Sequence, residues 1–154
     1  MIEVSTHIGA PAERVWELIG DPSRMGEWSP ECHRVTWVRP VSAPAVGARF
    51  RGHNRRAWRR WSTISEISSY DPGREIAWES TTMRLPIARW SYAVEPSDGG
   101  CTLTERCELR AGLFVQVLGG LLVRGVRDVE NHNRAGMQQT LARIRAAAEA
   151  PATV

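Results

Sequence analysis

The chain contains no lysine. All twenty of its cationic side chains are arginine, set against seventeen carboxylates and four histidines, for a formal net charge of +3. Richness in arginine and alanine can follow from genome base composition, so this mild charge alone says little about partners. Cysteine is scarce as well: Cys32, Cys101 and Cys107 are odd in number and include no C-x-x-C pair, which argues against both a disulfide framework and a structural zinc site. A reducing cytoplasm is the compartment that fits. The longest apolar stretch, Leu113 to Val123, is interrupted by Gln116 and two glycines and falls short of the ~20 residues of a membrane span, so no transmembrane segment is expected. The N-terminus shows no basic, apolar leader. There is no H-E-x-x-H, no G-x-S-x-G and no phosphate-cradling glycine loop. His7, His33, His53 and His132 are scattered, with solvated or capping roles as the default, and neither a metal nor a cofactor is expected.

What is present begins with Ile2, Val4, Thr6 and Ile8 alternating with Glu3, Ser5 and His7, the period of a strand with one face turned inward. Pro11 suits a first helical turn, Ala12, Val15, Trp16 and Ile19 gather on one helical face, and Asp21-Pro22 stops the helix. Further strands are predicted from about Arg34 to Val38, Ala48 to Asn54, Trp58 to Ser69, Arg74 to Thr82, Ile87 to Glu95 and Cys101 to Leu109. Turn-forming stretches separate them, among them Asp71-Pro-Gly73, Arg84-Leu-Pro86 and Ser97-Asp-Gly-Gly100. From Leu121 a helical period takes over, with Val126, Val129, Asn133, Met137, Leu141, Ile144 and Ala148 on one stripe. The length of 154 residues suits a single domain over residues 1–150, burying roughly 70% of its unfolded surface, with 151–154 as a loose tail.

Several short motifs in this order are Ala10-Pro-x-x-x-Val-Trp16, Asp21-Pro, Glu27-Trp-Ser-Pro30, Gly47-Ala-Arg-Phe50, Asp71-Pro-Gly73, Trp90-x-Tyr92, Glu95-Pro96, Thr104-Glu105 and Thr140-Leu-x-Arg-Ile144. With them the chain resembles the START-like superfamily, also called SRPBCC or birch-pollen-allergen-like, and within it the polyketide cyclase/dehydratase group. The resemblance implies an α+β helix-grip: a curved seven-stranded antiparallel sheet wrapped around a long C-terminal helix, with two short helices after the first strand. It also implies a cavity between sheet and helix for a small hydrophobic or amphipathic ligand, lipid-like or polyketide-like. The superfamily holds carriers, cyclases, hydrolases and binding regulators on one scaffold, so the ligand and the presence of an activity stay open.

Strand alternation says which side chains face such a cavity. Phe50, Gly52 and Asn54 share one parity; Trp61, Thr63, Ser65 and Ile67 another; then Ile76, Trp78 and Ser80, Trp90, Tyr92 and Val94, and Leu103, Glu105 and Cys107. Large inward aromatics are usually core packing. Where a cavity remains, Trp61, Trp78, Trp90 and Tyr92 line it, with Phe50, Asn54, Thr63, Asn133 and Met137 as further candidates for ligand contact. Glu105 is the sharpest residue, because alternation puts its carboxyl among Leu103 and Cys107. Burial raises a carboxyl pKa, so Glu105 is either a neutral hydrogen-bond donor to a ligand or a structural partner of Tyr92, Thr63 or an arginine. Cyclase or dehydratase chemistry needs an inward acid or base and a group that stabilises an enolate. Glu105 and Tyr92 are the candidates for the first role, and Arg59 a weaker one for the second.

Arg49, Arg51, Arg55, Arg56, Arg59 and Arg60 crowd one hairpin around Trp58. Such a cluster can grip phosphates and bases, or attract the acidic surface of a membrane or an acyl carrier protein. With low overall charge and Glu66, Glu75 and Glu79 on neighbouring strands, a charged hairpin that resists aggregation is the better reading, and nucleic acid is not expected. Gly119 and Gly120 each cost a helix about 1 kcal/mol. A break is therefore expected across Leu113 to Gly125, which forms a flap over the cavity, an ordinary connector or a homodimer contact.

Overall fold

A computed structural model describes residues 1–110 and 129–151. The expected break across Leu113 to Gly125 lies outside the described residues, as does nearly all of the expected tail. The elements in order are β1 (Ile2–Ile8), α1 (Ala12–Ile19), a short 3-10 turn (Pro22–Arg24), α2 (Met25–Trp28), β2 (Cys32–Trp37), β3 (Arg49–Arg56), β4 (Arg59–Asp71), β5 (Glu75–Thr82), β6 (Leu85–Ser97), β7 (Gly100–Leu109) and α3 (Val129–Glu149). The strands form one antiparallel sheet in the order β1-β7-β6-β5-β4-β3-β2. This is the helix-grip arrangement.

Local chemistry explains most of the boundaries. Pro11 stands at the cap of α1 rather than inside its first turn, and the Asp21 carboxylate accepts a hydrogen bond from the Ser23 N–H at 2.8 Å to start the next turn. On α1 the buried face is Ala12, Val15, Leu18 and Ile19. Trp16 is only half-buried, tilted against Tyr70 at 5.8 Å, so the helix is rotated slightly towards Leu18 from the expected face. The turn expected over Arg84-Leu-Pro86 is tighter than that. Met83 and Arg84 take the left-handed conformation, and Leu85 and Pro86 already pair with Thr82 and Thr81. The turn at Ala57 likewise leaves Trp58 outside the strand it was expected to begin.

Register shifts interrupt the ladder at Cys32/Arg34, Ile67/Ser69 and Ser80/Thr81. Bulges of this kind bend and twist the bulged strand, and the extra residues are His33 of β2, Ser68 of β4 and Ile87 of β6. The core is sealed on the concave side by Leu141, Ile144 and Ala148 of α3 against Ile8, Phe50, Ile76, Leu103 and Val94 of the sheet, while Met137 packs in a second, smaller cluster with Ile2, Ala88 and Cys107. Polar links tie down the helix's edges: Arg143 donates to the Trp28 carbonyl at 3.1 Å, and the Glu149 carboxylate accepts from the Gly9 N–H at 2.8 Å.

At Gly100 the start of β7 runs so close to β1 that a Cβ there would collide with the Ile8 carbonyl. Gly100→Ala must therefore push apart the β1–β7 edge. We expect a loss of about 1–3 kcal/mol of unfolding free energy, measured by urea denaturation, whereas Gly73→Asn, which meets open space and is opposed only by the left-handed backbone there, should cost no more than about 1 kcal/mol, since asparagine tolerates that conformation.

Candidate functional site

Between the concave face of the sheet and the N-terminal half of α3 lies a cavity of about 850 Å³. Its wall is built from the alternate residues of β3 to β7 that point at the helix. Phe50 and Asn54 come from β3, Trp61 and Thr63 from β4, Trp78 from β5, Trp90 and Tyr92 from β6, and Glu105 from β7, while Asn133 and Met137 close it from α3. Every residue picked out above for ligand contact thus lies on this wall. Three of its rings form a contact chain, with centroids 5.8 Å apart for Phe50 and Trp78 and 5.7 Å for Trp78 and Tyr92.

Glu105 sits directly across the ladder from Tyr92 and is 5% exposed. The Tyr92 hydroxyl donates to Glu105 Oε1 at 3.1 Å, and Oε2 has no hydrogen-bond partner among the described residues. Loss of water around the carboxylate raises its pKa from 4.5 to about 8, a rise that the Tyr92 hydrogen bond partly opposes. Burial, with the Glu105 charge beside it, holds the Tyr92 phenol well above its ordinary range. At neutral pH the pair is therefore two neutral groups. With Oε1 accepting from Tyr92, Oε2 is the oxygen left to carry the acid proton, and that oxygen is itself buried although Glu105 lines the cavity. Elsewhere on the wall, Ser65 and Ser80 share a buried hydrogen bond of 2.9 Å.

Residues 1–149 match the family described as polyketide cyclase / dehydrase and lipid transport. The chain belongs to this family. The polyketide-cyclase-like protein Cgl2372 from Corynebacterium glutamicum, solved by solution NMR, is 32% identical, with 94% of this chain and 88% of that one covered and a TM-score of 0.64. The di-domain ARO/CYC protein StfQ of the steffimycin biosynthetic pathway is 17% identical, with a TM-score of 0.74 over 96% of this chain and 50% of that one. BexL, a di-domain ARO/CYC protein of the BE-7585A pathway, is 20% identical, with a TM-score of 0.70 over 97% of this chain and 50% of that one. At those identities StfQ and BexL speak for the fold, and this chain spans half of each. No curated protein matches it at a significant level.

Other positions in this family member depart from expectation. Arg59 does not line the cavity; its guanidinium lies over Trp58, 5.1 Å from the ring centroid, because the inward parity of β4 runs out at the hairpin end. Arg55 and Arg56 of β3 reach the rim instead. His132 is not a solvated flank residue: its Nε2 is 3.2 Å from Glu31 Oε1, and both line the cavity. Nothing in the local sequence signalled that contact, since the two residues are 101 positions apart. Asn133 reaches Cys107 Sγ at 3.9 Å, a long contact that leaves the amide available to the cavity. Among the described residues no His, Cys, Asp or Glu cluster is arranged to hold a metal ion, and no helix is long and apolar enough to cross a membrane.

The raised pKa of Glu105 has a consequence for stability. Between about 4.5 and about 8 the unfolded chain has lost this proton while the folded chain keeps it, so this residue's contribution to stability is greatest below pH 4.5, declines through that window and levels off above it. Glu105→Gln should remove that part of the decline, and urea unfolding of the two proteins across the pH range should show their stability curves diverging through the window. Parallel curves would refute the buried acid.

Proposed function

We propose that the cavity binds one amphipathic organic molecule, lipid-like or polyketide-like, whose apolar body packs on the aromatic wall and whose carbonyl or hydroxyl oxygen meets Glu105. The observation that carries this reading is Glu105 in the wall of a cavity large enough for a drug-sized molecule, with its Oε2 buried and without a partner among the described residues. A buried polar atom without a partner is costly, and a turn of the carboxyl group that brought Oε2 to the cavity would let a ligand oxygen accept its proton and relieve that cost. Phe50, Trp61, Trp78 and Trp90 supply the apolar contact. Thr63, Asn54 and Asn133 offer secondary hydrogen bonds, and Met137 adapts to the ligand's outline.

A second reading rests on the same oxygen. A neutral carboxylic acid aimed at a bound carbonyl is a general acid, suited to polarising a ketone for ring closure or to protonating a departing hydroxyl. Tyr92, held against Oε1, positions it. Membership in the polyketide cyclase / dehydrase family supports this cyclase or dehydratase activity, as does the likeness of fold to the ARO/CYC proteins.

Native mass spectrometry of freshly purified protein is expected to show a co-purified small molecule, or a one-to-one complex after addition of a hydroxylated flavanone. Glu105→Gln keeps an N–H donor towards the cavity and should bind within about threefold of wild type, whereas Glu105→Met removes the donor and should weaken binding about tenfold. If Gln binds but no longer turns over a poly-β-keto substrate, the acid is catalytic. Equal affinity for all three proteins would sink the role given to Glu105.

A further inference from the structure

The chain's charge is distributed unevenly. From Arg49 to Ser65 there are six arginines and no carboxylate, and from Ser80 to Val94 there are Arg84 and Arg89 and again no carboxylate. These two stretches build the β3–β4 and β5–β6 hairpins, whose turns lie at the same end of the antiparallel sheet. Ala57 and Met83, one from each turn, both line the rim of the cavity, so the two tips flank its mouth. Arg49 and Arg89 are engaged with Glu66 and Glu79, nearer the middle of the sheet. Arg55, Arg60 and Arg84 are exposed and form no ion pair among the described residues.

The outermost side chains at this end are apolar. Trp58 is 83% exposed and Met83 73%, and Leu85 and Leu109 at the adjoining strand ends are 41% and 42% exposed. A tryptophan and a methionine on the two turns, with exposed arginines beside them, combine the amphipathic aromatic and the cationic groups that favour a membrane interface, with Glu31 and Glu130 at the cavity rim as partial counter-charges. We propose that this end of the molecule docks on an anionic phospholipid surface. Trp58 and Met83 enter the interfacial layer, Arg55, Arg60 and Arg84 meet headgroup phosphates, and the cavity mouth faces the bilayer. An acidic protein partner fits less well. A stable protein interface needs about 1,000 Å² of complementary surface, and among the described residues the two tips present no such continuous face, whereas a fluid bilayer closes around each tip independently. Docking in this pose would let an apolar ligand pass between bilayer and cavity without crossing water.

Sedimentation of the intact chain with vesicles of mixed phosphatidylcholine and phosphatidylglycerol, beside vesicles of phosphatidylcholine alone, tests this. Binding to the mixed vesicles only, weakening as salt is raised, is the expected result. Arg60→Ala and Arg84→Ala should each reduce partitioning about fivefold, and Trp58→Ser should reduce it further while melting at the wild-type temperature. Absence of binding at low salt, equal binding to both vesicle types, or full binding by Trp58→Ser would overturn the proposal. So would capture of a purified acyl carrier protein in place of vesicles, lost in the same variants. None of these results bears on whether the cavity takes up the flavanone, so docking and ligand binding stand or fall separately.

Discussion

A single helix cannot cover the concave face of this sheet. Six interstrand spacings of about 4.8 Å make a surface about 29 Å across before curvature, while a helix with its side chains is about 10–12 Å wide. The chain resolves the mismatch unevenly. Towards the C-terminal half of α3, Leu141, Ile144 and Ala148 close onto the core together with α1, and the interior is solid. Towards the N-terminal half, Met137 is the last large buried side chain on the helix, and the space beside it is walled by indole rings from three different strands. The cavity is thus a consequence of sheet width and curvature, and its aromatic lining follows from which strand residues face the uncovered part.

Three carboxyl groups line the cavity, Glu31, Glu105 and Glu130, and only that of Glu105 is buried in its apolar wall. A charged carboxylate there would be expensive, and the structure responds by shifting the group to its neutral form rather than by pairing it with an arginine. Every arginine that pairs with a carboxylate among the described residues does so at the surface, as in Arg24 with Glu27 at 2.8 Å and Arg89 with Glu79 at 3.5 Å. Pairs of that kind are worth no more than about 1 kcal/mol each. The chain therefore separates its electrostatics: cations and their partners outside, a buried carboxyl group and aromatic faces inside, and at the rim Arg55 and Arg56 together with Glu31, Glu130 and the exposed Met83. This division suits a site that takes an apolar molecule out of an interface and recognises it by one oxygen.

Much of the site was legible from strand alternation. Glu105 and Tyr92 share the inward parity of adjacent strands, and in an antiparallel ladder that is enough to bring them face to face once the register is set. Period-two reasoning worked for β5 to β7 because those strands are long and regular around the site. It failed at Arg59, where the strand ends and the side chain stacks on Trp58 instead. It was blind to Glu31 and His132, which meet across the cavity from a turn and a helix with no shared period.

Two things were written in the residue pattern: the order of strands and helices, and the face each strand turns inward. These depend on local periodicity, on prolines and glycines at turns, and on the apolar stripe of the last helix, all of which are properties of neighbouring residues. Whether the inward face would be filled or left partly open depended on sheet curvature, set by bulges at Cys32/Arg34, Ile67/Ser69 and Ser80/Thr81, and no short window of sequence encodes that. The state of Glu105 was decided at the same level. Its pKa answers to the sum of everything packed around it, and only the assembled fold brings together the walls that exclude water from its carboxyl group.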